Sequence, residues 1–98
     1  MTARIYISGP MSGLPEFNRP AFYRAAAELR FQGHEVVNPA EMTLPDNTPW
    51  PLLMRACLRD LVHCDAIHML PGWYRSRGAQ LEHAIAIALG MTITGAHS

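Results

Sequence analysis

Apolar residues recur along the chain with two alternating periods, and the alternation lays out a fold. The stretch Ala3 to Ser8, ARIYIS, is β-branched and aromatic and halts at Gly9-Pro10, which predicts a first, buried strand. From Asn18, placed to cap, and Pro20 in the first turn, the residues Phe22, Ala25, Ala26 and Leu29 recur at helical spacing to about Gln32, where Gly33 can terminate the helix. HEVVN, His34 to Asn38, predicts a second strand. A loop from Pro39 to Pro49 follows, with three prolines and Asp46-Asn47, and Thr48 stands where it can cap a helix over about Trp50 to Val62. CDAIHMLP, Cys64 to Pro71, is nearly continuously apolar, as a parallel strand covered on both faces should be. A third helix is expected over about Gly78 to Leu89 with Gly90 as its cap, then a fourth strand, Met91 to Thr94, and a frayed tail from Gly95 to Ser98.

Strands separated by helices of about a dozen residues imply a parallel sheet with right-handed crossovers, a three-layer α/β architecture. Four to five strands in the order 2-1-3-4 are expected, in one domain spanning residues 1–98. That order places a topological switch point between the first and third strands, whose carboxyl ends are Ser8-Gly9 and Leu70 to Gly72. Ligands of open α/β sheets bind in such a crevice.

Composition narrows the partners. The chain has 98 residues, 49% hydrophobic and only 16% charged, which leaves either a well-filled core or apolar surface for a second subunit; a homo-oligomer is expected. Net charge is zero, and the basic residues, all arginine, run from Arg4 to Arg77 without clustering, so no footprint for duplex nucleic acid appears and a small molecule is the better partner. Cys57 and Cys64 form no CxxC pattern, which suits a reduced, cytoplasmic protein. The histidines are scattered without ligand spacing, so no metal is expected. No apolar run of about 18 residues, signal peptide or lipidation motif points to a membrane.

The chemistry concentrates in LPGWYRSRGAQLEHA, Leu70 to Ala84, where strand passes through a loop into a helix carrying Glu82. Two helix N-termini open on the crevice and offer backbone N–H groups to an anion. The loop SGPMSG matches neither GxGxxG nor a Walker motif, and reads either as a tight turn or as a phosphate cradle. Glu82 reads either as a solvated helical carboxylate or as a nucleophile for an anomeric carbon. Tyr6, Tyr23 and His68 read as core, Asp65 as a structural residue, and His83 faces about 100° away from Glu82 on the helix.

The segments IYISGPMSGLPEFNRPAF and CDAIHMLPGWYRSRGAQLEHAIAIALGM, with motifs YISGPMSG and LPGWxxSxGAxxE, resemble a small family of often phage- or prophage-encoded proteins related to nucleoside 2-deoxyribosyltransferases. The resemblance implies a flavodoxin-like or Rossmann-like sheet, no metal and no organic cofactor. It implies cleavage or transfer at the N-glycosidic bond of a 2′-deoxynucleoside or its 5′-monophosphate, with Glu82, four residues after Gly78, attacking C1′. Ser8, Gly9, Met11, Ser12 and Gly13 would line the sugar or phosphate, Asn38 would close one flank, Gly72 and Trp73 would bring a ring onto the base, and Ser76 and Arg77 would contact sugar or phosphate. Two positions that are usually acidic in the family hold Ser76 and Cys57, and Asp60 lies toward the wrong edge of the sheet to substitute. Two other readings compete: a non-catalytic module that binds or sequesters nucleotide, and a phage interaction protein using apolar surface around Trp50 and Trp73.

Overall fold

A computed structural model describes residues 2–45 and 47–98; Asp46, half of the turn expected at Asp46-Asn47, lies outside the described residues. Four strands, β1 (Arg4–Ser8), β2 (Glu35–Val37), β3 (Ala66–Met69) and β4 (Thr92–Gly95), form one parallel sheet in the order β2-β1-β3-β4. Three helices, α1 (Arg19–Phe31), α2 (Trp50–Leu61) and α3 (Arg77–Ala88), provide the crossovers. The architecture is the flavodoxin-like α/β class expected, with β1 and β3 in the interior and their carboxyl ends adjacent.

Strand alternation divides the core into two layers. Ile5 and Ile7 pack with Phe22, Ala26 and Leu29 of α1, together with Ala66 and Leu70. Tyr6, Ile67 and Met69 face the other way, onto Cys57 and Leu61 of α2 and Ala79 and Ala86 of α3. One helix therefore covers one face and two cover the other. The thinly covered face keeps an open groove of about 430 Å³ over β3 and β4, with Ala25, Glu28 and Leu29 on its wall and Ala66, His68, Thr92 and Thr94 on its floor. His68 is consequently no packed core histidine: it is half-buried, with Nδ1 2.9 Å from Thr94 Oγ1, and burial lowers its pKa.

Five local expectations are corrected. Tyr23, expected in the core, is 46% exposed, with its hydroxyl donating to the Ala40 carbonyl at 3.3 Å. Asn18 occupies the cap position of α1 in a left-handed conformation, and its side chain donates instead to the Pro10 carbonyl at 2.9 Å. Thr48 donates to the Pro45 carbonyl at 2.6 Å, and Pro49 takes the cap position of α2. α3 begins at Arg77, one residue early, because Ser76 caps it by accepting from the Ala79 N–H at 3.2 Å. The tail is tied down: Gly95 ends β4, the Ala96 N–H bonds the Met69 carbonyl at 2.9 Å, and the Ser98 carbonyl accepts from Gly72 at 3.3 Å. Gly33 and Gly90 do end α1 and α3 with positive φ, +95° and +70°. Among the described residues no helix is long and apolar enough to cross a membrane.

Candidate active site where alpha 3 meets beta 1

Period-2 alternation along β1 sends Tyr6 and Ser8 to the α2–α3 face, and both are fully buried, with 0% and 1% of their surface exposed. α3 reaches them because its inward residues are small. Ala79 and Ala86 are buried against the sheet, and a Cβ on Gly78 would stand only 3.1 Å from Met54 Sδ of α2. One turn after Ala79, Glu82 is carried into the same layer and is 6% exposed.

There the Tyr6 hydroxyl donates to Glu82 Oε2 at 2.6 Å and the Ser8 hydroxyl donates to Oε1 at 2.7 Å. Each carboxylate oxygen thus receives one neutral donor at the short distance typical of a charged acceptor. Among the described residues Glu82 has no ion-pair partner. Burial raises the Glu82 pKa, opposed by the bonds from Tyr6 and then Ser8. Burial and the neighbouring Glu82 charge hold the Tyr6 phenol well above its ordinary value, so it stays a donor. The Cys57 thiol belongs to the same buried cluster and is itself raised by burial, so it is neutral at physiological pH. The arrangement is a carboxylate fixed in orientation by dipoles alone, without a cation to blunt its nucleophilicity.

Gly9 explains how the two loops approach. A Cβ there would lie 2.7 Å from Leu70 Cβ, so only glycine lets the end of β1 pass the end of β3 this closely. Met11 is half-buried against the α1 side, whereas Ser12 and Gly13 are exposed on the rim. The loop then turns through Glu16, Phe17 and Asn18, three residues with φ between 53° and 59°. Asn38, at the end of β2, is 6% exposed; its Oδ1 accepts from the Ala40 N–H at 3.0 Å, while Nδ2 is buried without a partner among the described residues. Such an orphaned donor calls for an acceptor from elsewhere.

Of the sequence-derived candidates, the structure brings Ser8 onto Glu82, with Gly9 and Gly78 as the close-approach points. It commits others to packing. Trp73 stacks on His83 with centroids 4.2 Å apart and donates its indole N–H to the Ala96 carbonyl at 3.0 Å, so its ring is held by the protein. Arg77 lies over the Trp50 ring at 3.9 Å, and the Ser76 hydroxyl serves the α3 cap. Gly72, with φ of +84°, forms the turn that leads to Trp73. Tyr6 is core, as the sequence predicts, and it is also the second donor to Glu82, a role its sequence position does not reveal. The signal available was a pair of hydroxyl-bearing residues at i and i+2, sharing one face of a strand whose opposite face is Ile5 and Ile7. Among the described residues no group of three or more His, Cys, Asp or Glu is placed to hold a metal ion.

Residues 3–95 match the model of a family described as a domain of unknown function, DUF4406. The chain belongs to the DUF4406 family. Among solved structures, this DUF4406 chain is similar to the 2-desoxiribosyltransferase from Leishmania mexicana, with a TM-score of 0.71 and 23% sequence identity over 94% of this chain. It spans 62% of that chain's length, and the likeness establishes a shared fold. No curated protein matches the DUF4406 chain.

Proposed function

We propose that this DUF4406 domain cleaves or transfers at the N-glycosidic bond of a 2′-deoxynucleoside or its 5′-monophosphate, with Glu82 as the nucleophile. The observation that carries the reading is the buried Glu82 carboxylate with one hydroxyl donor on each oxygen. The name of the Leishmania mexicana neighbour, a 2-desoxiribosyltransferase on the same fold, supports it.

In this mechanism a Glu82 oxygen forms a bond to C1′ as the C1′–N bond breaks, and the base departs with the bonding electrons and takes a proton from water. Water or a second base then attacks C1′, Glu82 leaves, and the two inversions give net retention. Tyr6 and Ser8 aim the carboxylate, and Ser8, Gly9 and Met11 to Gly13 border the sugar or phosphate. The free Asn38 Nδ2 donates to the ligand from the β2 side. With Cys57 and Ser76 at the two positions where the resemblance leads one to expect acids, neither supplies a second carboxyl, so bases that depart readily are the preferred substrates. No metal or organic cofactor enters the scheme, and the protein works as a cytoplasmic homo-oligomer.

A second reading rests on Trp73, Arg77 and Cys57. With the ring and guanidinium held by packing and a thiol beside Tyr6, the crevice binds nucleotide without turning it over. The test incubates the protein with each deoxynucleoside and its 5′-monophosphate and follows free base by chromatography, with Glu82→Ala as control. Release that disappears in the variant supports the glycosidic reaction. Thermal stabilisation by one nucleotide without release supports the binding module.

A further inference from the structure

We propose that β4 is the contact between two copies of this chain, which join their sheets edge to edge about a twofold axis at Ile93. The two edges of the sheet are built differently. β2 is three residues long, carries Glu35 in an ion pair with Arg4 at 3.2 Å, and has its Val36 carbonyl taken by Arg30 Nη2 at 3.4 Å. These are the charges and short length that discourage strand addition. β4 has no such guard: MTITGA, Met91 to Ala96, contains no charge and no proline, and all four strand residues are exposed.

The inward bonds fix which groups are free. The Thr92 and Ala96 N–H groups point into the sheet, to the Asp65 and Met69 carbonyls, so the intervening Ile93 aims its N–H and C=O outward. Two antiparallel copies with Ile93 opposite Ile93 exchange both of those bonds as a hydrogen-bonded pair. In that register Thr92 lies opposite Thr94 of the second copy, a favourable β-branched pairing.

α3 continues the same surface. Gly78 abuts Met54 of α2, so the flank half a turn round, at Gln80, Ala84 and Ile87, faces away from α2 toward the β4 edge. It bears no charge, and Ile87 and, on β4, Ile93 are 58% and 38% exposed. A twofold contact sets residues beside their own equivalents, which a charged surface resists and a neutral one permits. A second copy, matching strand to strand and neutral flank to neutral flank, is therefore the occupant. This deepens the oligomeric part of the reading above and is independent of the chemistry at Glu82.

The experiment measures mass by sedimentation equilibrium across a concentration series, together with amide exchange at Ile93. Wild-type protein is expected to be a dimer, with the Ile93 amide protected where the dimer forms and unprotected on dilution. I93K and I93E should each be monomeric, with unchanged circular dichroism, and an equimolar mixture should recover the dimer because position 93 faces its own equivalent. A monomeric wild type overturns this inference and the homo-oligomer with it. A dimer that survives I93K, or leaves Ile93 exchange unprotected, overturns only the surface assigned here. Should I93K fail to fold, the wild-type exchange data decide. Base release measured on the same samples reports on Glu82 separately.

Discussion

Replacing Tyr6 by Phe removes one oxygen and leaves the ring to fill the same space, so the effect on Glu82 can be reasoned from a single bond. That bond is 2.6 Å long, buried, and made to Oε2 of a carboxylate whose other oxygen has only Ser8. A hydrogen bond to a charged group contributes about 1.5–3 kcal/mol. At about 1.4 kcal/mol per decade, its loss corresponds to roughly a 10- to 100-fold fall in rate if Glu82 must be ionised and aimed to react. The direction with pH follows from the same forces. Burial pushes the Glu82 pKa up and the Tyr6 bond is the larger of the two that pull it back, so without it the acid limb of the rate moves to higher pH. The assay is the pH dependence of free-base release by Y6F against wild type, with the Ser8→Ala variant as a milder companion. Activity should fall most on the acid side of the profile and recover in part at high pH, where Glu82 is ionised regardless. A Y6F profile that superimposes on wild type, in a variant shown to be folded, would refute the reasoning and remove Glu82 from the chemistry.

Three further outcomes are expected. Glu82→Gln should abolish base release yet raise the melting temperature at about pH 8: the folded state holds its Glu82 proton more tightly than the unfolded chain, so ionisation above the ordinary carboxylate value of about 4.3 costs stability, and the gain should vanish near pH 4. Gly9→Ala should lose about 1–3 kcal/mol in urea melts, because its Cβ would fall 2.7 Å from Leu70 Cβ. Removing residues 96–98 takes away the carbonyl that accepts the Trp73 indole, and should cost about 1 kcal/mol and shift tryptophan emission to the red; unchanged emission would show that the tail does not hold the loop.

The fold was legible because its signals are redundant. The apolar runs of β1 and β3, the helical spacing of Phe22, Ala26 and Leu29, and the handedness of crossovers each restrict the topology, and together they leave the order 2-1-3-4. Glu82 was legible from its motif, and the site's glycines from the loops they punctuate. Tyr6 was not, because a phenol in a central strand satisfies a packing pattern as well as phenylalanine does, and its hydroxyl acquires meaning only when α3 is laid across it. The same holds for Trp73 and Arg77, whose chemistry suits ligands but whose partners, His83, Ala96 and Trp50, become neighbours only through the fold. Asn18 and Thr48 misled for a local reason: their side chains found the carbonyls of Pro10 and Pro45, acceptors that a preceding proline-bearing turn brings within reach.

Glu82 stands 76 and 74 residues away from the two hydroxyls that bind it. Closing a loop of that length is entropically costly and slow, so the bonds form only as α3 docks on the central strand and no local segment can anticipate them. With respect to this carboxylate a sample contains two kinds of molecule, those with a doubly bonded buried group and those with an ordinary solvated glutamate. Partial loss of the buried Glu82 signal under heat or denaturant therefore counts intact molecules and does not report a uniform weakening of every one, and the share of molecules with Glu82 buried measures the folded fraction directly.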